Sequence, residues 1–339
     1  MHTLRFILRR VAELVVVMVG LSVLIFILSR VLPGDPVRFA LGPGATAEQV
    51  AKLTRDMGLD QPLVVQYARL MRGVFAGDLG VSLSTFRSIS QDLLTFLPAS
   101  LELAFVSMGL AVLLGVPLGV ATAMGRNRWP DFVGRSLAFS GVALPIFWLA
   151  LIAQLVLAFA LSLFPPLGRI GADTAPPPAV TGSYLLDALL AGDIGLFAHV
   201  LSYILLPAFV LCLSPLAMIL RLLRASMIEE MGRDYVLTAR ANGMPRNLIV
   251  YKYMLRNAFS ATLTIIGLLF GYFIGSAFIV ETVFSWPGIG RYGVRALQFK
   301  DFNGIIAVTL VIGFAYALAN TVVTILYAWL DPRLRLGGR

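Results

Sequence analysis

Residues 100–124 read SLELAFVSMGLAVLLGVPLGVATAM, twenty-five positions in which Glu102 is the sole charge. As a helix this stretch is about 37 Å long, and about 20 apolar residues suffice to cross a hydrocarbon core of about 30 Å. A surface helix of a soluble protein would keep a broad polar face, and this stretch has none. Comparable runs lie on either side of it, at 11–31, 136–160, 201–220, 259–280 and 305–330. Hydrophobic residues make up 58% of the 339 positions and charged residues 13%, with a mean hydropathy of +0.86. A soluble domain carries about a quarter charged residues, so lipid rather than water is the main solvent. The fold expected is an all-α polytopic membrane protein, one domain over 1–339 with six transmembrane helices.

The net charge of +9 does not point to nucleic acid, because the basic residues sit in short segments between and beside the apolar runs. Six spans put both termini on one side. Arg5, Arg9 and Arg10, then Arg126, Arg128 and Arg135, then Arg221, Arg224, Arg233, Arg240, Arg246, Lys252 and Arg256, and finally Arg333, Arg335 and Arg339 all fall on that side. By the positive-inside rule it is the cytoplasm. The basic start resembles the front of a signal peptide, but the apolar run to Val31 exceeds a signal h-region and lacks a small-x-small cleavage site, so a retained first span is expected. Cys212 is the sole cysteine, which excludes an intrachain disulfide, and His2 and His199 are too few and too far apart to argue for a metal.

Two outer segments and one cytoplasmic loop are too long to be connectors. Segment 32–98 carries helix punctuation, with Thr46 as N-cap, Gln49 three residues on and Gly58 as a stop, and should form short surface helices. Segment 164–199 is rich in Pro and Gly and reads as an irregular loop with one short helix near 184–190. The loop 221–258 contains a short helix expected to be N-capped by Asp234, running through Tyr235, Thr238, Ala239, Arg240 and Ala241 to Gly243 at a left-handed C-terminal position, with Pro245 beyond. Chemistry alone leaves two readings open, a docking segment for another protein or a basic surface against anionic lipid.

Other polar and small residues are ambiguous in the same way. Gln154 and Asn320 lie inside spans, where an interhelical hydrogen bond is the ordinary role and a substrate contact in the pore the sharper one. Gly267, Gly271 and Gly275 clear one face of the fifth span for close packing, within the chain or against another subunit. Pro117, Pro145, Pro207 and Pro215 mark kinks or helix ends. Glu13, Glu102 and Glu281 fall near span ends rather than mid-membrane, which argues against a proton- or sodium-coupled secondary transporter, and no nucleophile–base pair lies deep enough for an intramembrane hydrolase. Gly288-Ile289-Gly290-Arg291-Tyr292-Gly293 matches a dinucleotide fingerprint in letters only, since an apolar helix precedes it and Asp301 comes too early. The sequence contains no G-x-x-x-x-G-K-[ST] phosphate loop, so the chain is not expected to be an enzyme or to bind a cofactor itself.

Thr238-Ala239-Arg240-Ala241-Asn242-Gly243 resembles the EAA loop of ABC importer permeases, in the variant of the dipeptide, oligopeptide and nickel family. Ala241 and Gly243 stand at the expected places. Leu237 and Thr238 replace the general Glu and Ala, and Arg256 stands where the general pattern has proline, departures of a kind the peptide branch shares. Leu32-Pro33-Gly34-Asp35-Pro36, Gly77-Asp78-Leu79-Gly80 with Ser82, and Phe284-Ser285-Trp286-Pro287-Gly288-Ile289-Gly290 resemble the same branch, most closely its dipeptide B-type subunits. The resemblance implies a bacterial inner-membrane permease paired with a paralogous permease, two cytoplasmic ATPases that hold ATP and magnesium, and a periplasmic or lipid-anchored binding protein. It makes 234–243 the helix seated in an ATPase groove. Asp35, Asp78, Glu281 and Trp286 become outer-side docking or gating candidates. Oligopeptide, nickel chelate, glutathione and haem precursor remain open as solutes beside dipeptides.

Overall fold

The structure, a computed structural model, describes residues 2–31, 37, 41, 42, 44–56 and 58–330. The motif 32–36 with Asp35, and the basic tail with Arg333, Arg335 and Arg339, lie outside the described residues. Among the described residues the fold is helical, with one isolated bridge, Val81 to Ser88, in place of any strand. Helix α1 covers His2–Val31, α2 Ala47–Asp56, α3 Leu63–Ala76 and α4 Ile89–Met124. Local chemistry sets these ends. Thr46 Oγ1 accepts from the Gln49 amide at 3.3 Å while Gln49 Oε1 accepts from the Thr46 amide at 2.9 Å, the reciprocal capping expected for α2. Helix α3 stops at Gly77, whose φ of 72° and the Asp78 amide bonded to the Gly73 carbonyl at 2.9 Å close its last turn.

The 136–160 stretch, expected as one span with a kink or helix end at Pro145, falls in two helices. α5 (Trp129–Ala143) and α6 (Ile146–Ala160) meet at 108°. Pro145 has no amide hydrogen to continue α5 and forces Leu144 into an extended conformation with ψ 135°, so the ladder must break there. Helix α7 is the short Tyr184–Leu190, with Ser183 Oγ accepting the Leu186 amide at 3.4 Å as its cap. Helix α8 runs from Ile194 to Glu230, and α9 is Asp234–Ala241. Helix α10 enters through Arg246–Leu248 and a π-helical Ile249–Met254 and continues as Leu255–Val283. Helix α11 is Ile289–Gln298 and α12 Phe302–Leu330. By length and composition the described residues hold five helices able to cross a membrane, or six if the bent α5–α6 pair counts as one.

Helix α8 is the hub, packed against α4, α5 and α10, while α12 rests on α10 and α1. Lipid tails are as apolar as leucine, so close van der Waals contact rather than water exclusion must hold such helices together. Gly115 and Gly119 on α4 provide it. A Cβ at Gly115 would lie 3.0 Å from Ile219 Cγ2 and 3.3 Å from the Leu216 carbonyl, and one at Gly119 would lie 3.1 Å from Leu223. The stripe singled out in sequence is less uniform: Gly271 packs under the Tyr316 ring of α12, an intramolecular contact, whereas nothing within 4 Å faces Gly275.

Candidate functional site

The two ends of the helix bundle carry different chemistry. At one end α8 turns through Met231, Gly232 and Arg233 into α9. Asp234 is not the N-cap that the sequence suggested; Arg233 holds that position without a side-chain cap, and Asp234 begins the first turn. There its carboxylate still faces the positive end of the helix dipole. At the other terminus Gly243 has φ 71°, its amide bonds the Arg240 carbonyl at 3.0 Å, and the Met244 amide bonds the Ala239 carbonyl at 3.1 Å. The left-handed glycine exit is therefore formed as the residues dictate.

Val236 pins α9 to the bundle. It is fully buried among Val120 and Ala123 of α4, Leu223 and Met227 of α8, and Ile249 and Met254 of α10. Tyr235 donates its hydroxyl to the Glu230 carboxylate, and burial together with that bond raises its phenol above the ordinary value. Ala239 is half-buried on this same inner face, so it does not present itself to an outside groove. The outward face is Leu237 (53% exposed), Thr238, Arg240, Ala241 and Gly243. Nearby, Asp131 at the start of α5 is fully buried and takes a bidentate pair from Arg224 of α8 at 2.6 and 2.8 Å.

The opposite end is built on buried carboxylates. Glu102 of α4 is paired with Arg169 at 2.6 Å and also accepts Ser183 Oγ at 2.8 Å and the Leu185 amide at 2.7 Å. The Arg169 guanidinium lies 3.7 Å from the Tyr184 ring centroid, a cation–π contact. Asp301 accepts Ser82 Oγ at 2.5 Å and the Leu83 and Gly304 amides at 3.0 Å. Asp92 accepts Thr85 Oγ1 and Arg87, each at 2.5 Å. Asp187 accepts the amides of Val180, Thr181 and Gly182.

Glu281 completes the set. Its carboxylate accepts Ser100 Oγ at 2.5 Å and the Arg291 amide at 2.9 Å, while Ser100 Oγ accepts the Ile289 amide at 2.7 Å. Glu281 and Ser100 thus serve the first turn of α11 from two other helices, satisfying amides that no side chain of α11 could reach. Gly288 and Gly290 follow from this, because a Cβ at Gly288 would overlap the Glu281 carboxylate and one at Gly290 the Phe278 backbone. Trp286 is fully buried and donates Nε1–H to the Ala99 carbonyl at 2.9 Å.

Sequence reading named Glu281 and Trp286 as docking or gating residues, but both are buried and offer no surface to another protein in this conformation. Asp78 is exposed, its carboxylate accepting the Gly80 amide at 3.1 Å. Gln154 donates to the Pro166 and Val283 carbonyls at 2.9 and 3.3 Å, the ordinary interhelical role, and Asn320 is exposed on α12. Sequence reasoning missed Asp92, Asp131, Arg169, Asp187, Arg224 and Asp301. A charge standing next to an apolar run was the available signal, and it does not name a partner.

The chain from 115 to 336 matches the family model for the binding-protein-dependent transport system inner membrane component, and 3–103 matches the N-terminal model of such membrane components. It is 42% identical over 325 residues, 96% of each chain, to a probable D,D-dipeptide transport system permease protein of Escherichia coli (strain K12). It is 35% identical over 334 residues to a dipeptide transport system permease protein of Alkalihalophilus pseudofirmus, covering 98% of this chain and 99% of that one. A glutathione transport system permease protein of Salmonella paratyphi A is 34% identical over 333 residues, with the same coverage. The buried Glu281 cradle and the glycine-stopped α9 helix therefore belong to a member of the binding-protein-dependent transport system inner membrane components, in the dipeptide-type branch of ABC importer permeases.

Proposed function

We propose that this chain is one of two membrane-spanning subunits of an importer that carries dipeptides, or related small peptides and solutes, across the bacterial inner membrane. Four relations accompany that reading. The chain crosses the bilayer six times with the bent α5–α6 pair as one span, both termini and α9 are cytoplasmic, ATP is hydrolysed on separate subunits, and a binding protein outside delivers the solute. The observation that carries it is α9, a short helix stopped by a left-handed glycine and tied to three long helices through Val236, with Leu237, Thr238 and Ala241 turned outward. A basic loop lying on lipid needs no such clamp. A load transmitted from a partner to α4, α8 and α10 does.

The test is co-purification of ATPase subunits and dipeptide uptake, each normalised to permease abundance. Leu237→Asp places a carboxylate on the outward face, and Gly243→Val puts a β-branched residue at positive φ, at a local cost of about 1–3 kcal/mol. Each should lower ATPase recovery about tenfold or uncouple hydrolysis from uptake. Normal recovery and uptake in both would return α9 to the lipid surface. Single cysteines near Gly44, Ala175 and Gly304, but not near Arg128 or Met244, should react with an impermeant thiol reagent from outside once Cys212 is replaced.

A further inference from the structure

A cavity of about 160 Å³ opens beside the start of α11, lined by Thr85, Phe96, Pro287, Arg291, Tyr292 and Arg295 among others. Arg291 and Arg295 stand four residues apart on one helix face, both exposed, and neither has a carboxylate partner among the described residues. Arg291 Nη1 donates to the Ser285 carbonyl at 2.8 Å and Arg295 Nη2 to the Ser84 carbonyl at 3.1 Å. Each guanidinium carries five N–H donors, so each keeps donors to spare. Tyr292 is 3% exposed, and its hydroxyl lies among Ser82, Asp92 and Asp301. Burial first, then the nearby Asp301 and Asp92 carboxylates, push its phenol up to about 12, so the proton is present at any physiological pH.

The acids around the cavity are already engaged, Asp92 by Thr85 and Arg87 and Asp301 by Ser82 and the Leu83 amide. Neither acid lines the cavity, whose charged walls are Arg291 and Arg295. Its other walls are the Phe96 ring, stacked on Tyr292 with centroids 5.3 Å apart, and Pro287. Two guanidiniums beside an apolar wall are the complement of a carboxylate attached to a small side chain. A larger cavity of about 800 Å³ mixes Arg30, Arg69 and Arg72 with Asp56 and Asp78 and selects neither charge.

We propose that the Arg291–Arg295 cavity binds the C-terminal carboxylate of a small peptide as it enters the translocation path, an inference that rests on the importer reading above. Glu281 holds the frame by fixing the first turn of α11, and the arginines make the contact. The test uses the full permease–ATPase complex in nanodiscs, without the binding protein, and Ala-Ala as probe, its binding followed by saturation-transfer NMR. Ala-Ala should bind, Ala-Ala amide at least tenfold more weakly, and Arg291→Gln with Arg295→Gln should weaken Ala-Ala at least tenfold while reducing the preference over the amide. Arg291→Lys with Arg295→Lys should recover part of it, and subunit co-elution on gel filtration reports that the variants assemble.

Equal binding of peptide and amide, no binding to the wild-type complex, or unchanged binding in the Gln variants overturns the site. So does a result in which the Gln variants lose only anionic lipid in native mass spectrometry, or only affinity for the binding protein, because the arginines would then serve a lipid phosphate or a docked protein. Wild-type Ala-Ala uptake is measured in parallel. Its absence would count against the importer reading, whereas intact uptake with indifferent arginines would remove the carboxylate site alone.

Discussion

The α9 end and the carboxylate end of the bundle solve the same problem, fixing short segments to long apolar helices, with opposite materials. Helix α9 is held mainly by Val236 in an apolar cluster, with Tyr235 and Ala239 packed beside it and one hydrogen bond from Tyr235 to Glu230. Segments 164–190 and 284–304 are held by Glu102, Asp187, Glu281 and Asp301, each accepting several hydrogen bonds. Apolar contact is non-directional and gives gradually, while a buried carboxylate stripped of its donors is costly at once. A segment that must follow a partner through small shifts suits the first. A segment that must be either seated or released suits the second.

The sharpest way to break this comparison is at Arg169. Arg169→Leu leaves the Glu102 carboxylate, 5% exposed, without its cation. Stranding a buried charge costs about 3–5 kcal/mol, so the melting temperature of the purified chain should fall by more than for any α9 variant. Adding Glu102→Gln removes the stranded charge and should restore part of the loss. A wild-type melting curve for Arg169→Leu would mean that the pair is not what seats the 164–190 segment.

Next in size are the glycines of the cradle. Gly288→Ala directs a methyl group at the Glu281 carboxylate and Gly290→Ala one at the Phe278 backbone. Overpacking of this kind costs about 1–3 kcal/mol. Either variant should expose the α10–α11 turn to proteolysis near Ser285 while leaving α9 as protected as before. Cleavage spreading equally to both ends would show that the two ends are not independent.

At the apolar end the effects should be smaller and should separate by face. Val236→Ala removes two methyl groups from the cluster, about 0.8 kcal/mol for each buried carbon, and should loosen α9 in hydrogen exchange. Leu237→Ala on the outward face should leave exchange unchanged and lower ATPase recovery. If both lower recovery and neither changes exchange, the division of α9 into an anchoring and a docking face fails.

Local and distant contacts differ in how far they could be read from sequence. The capping box at Thr46 and Gln49, the glycine exit at Gly243 and the short α7 helix depend on residues within a few positions of each other, and local patterns carry them. The partners of Glu102, Glu281 and Asp301 lie far away along the chain, at Arg169, Ser100 and Ser82, and hydropathy has no register that joins them. Pro145 marked the break between α5 and α6, but the size of the bend depends on what α5 packs against. The face of α9 that turns inward was equally hidden, since the helix is too short for its apolar pattern to choose one.

The smallest effect concerns Asp187, which seats α7. Burial alone would raise its carboxyl, but the hydrogen bonds from Thr181, Val180 and Gly182 outweigh that and hold it below the usual range. A carboxyl that titrates lower when folded than its unfolded value of ~3.9 contributes stability at every pH above that value, and the contribution is lost as pH falls through the folded-state value. Hydrogen-exchange protection of the Val180, Thr181 and Gly182 amides should therefore be constant, after correction for intrinsic exchange rates, from about pH 8 to about pH 5 and fall only below the ordinary carboxylate range. Asp187→Asn should lower protection at neutral pH and flatten its response to acid, because an amide oxygen accepts more weakly than a carboxylate and does not titrate. Protection that instead dropped between about pH 7 and about pH 5 would show that Asp187 is not the group that controls α7.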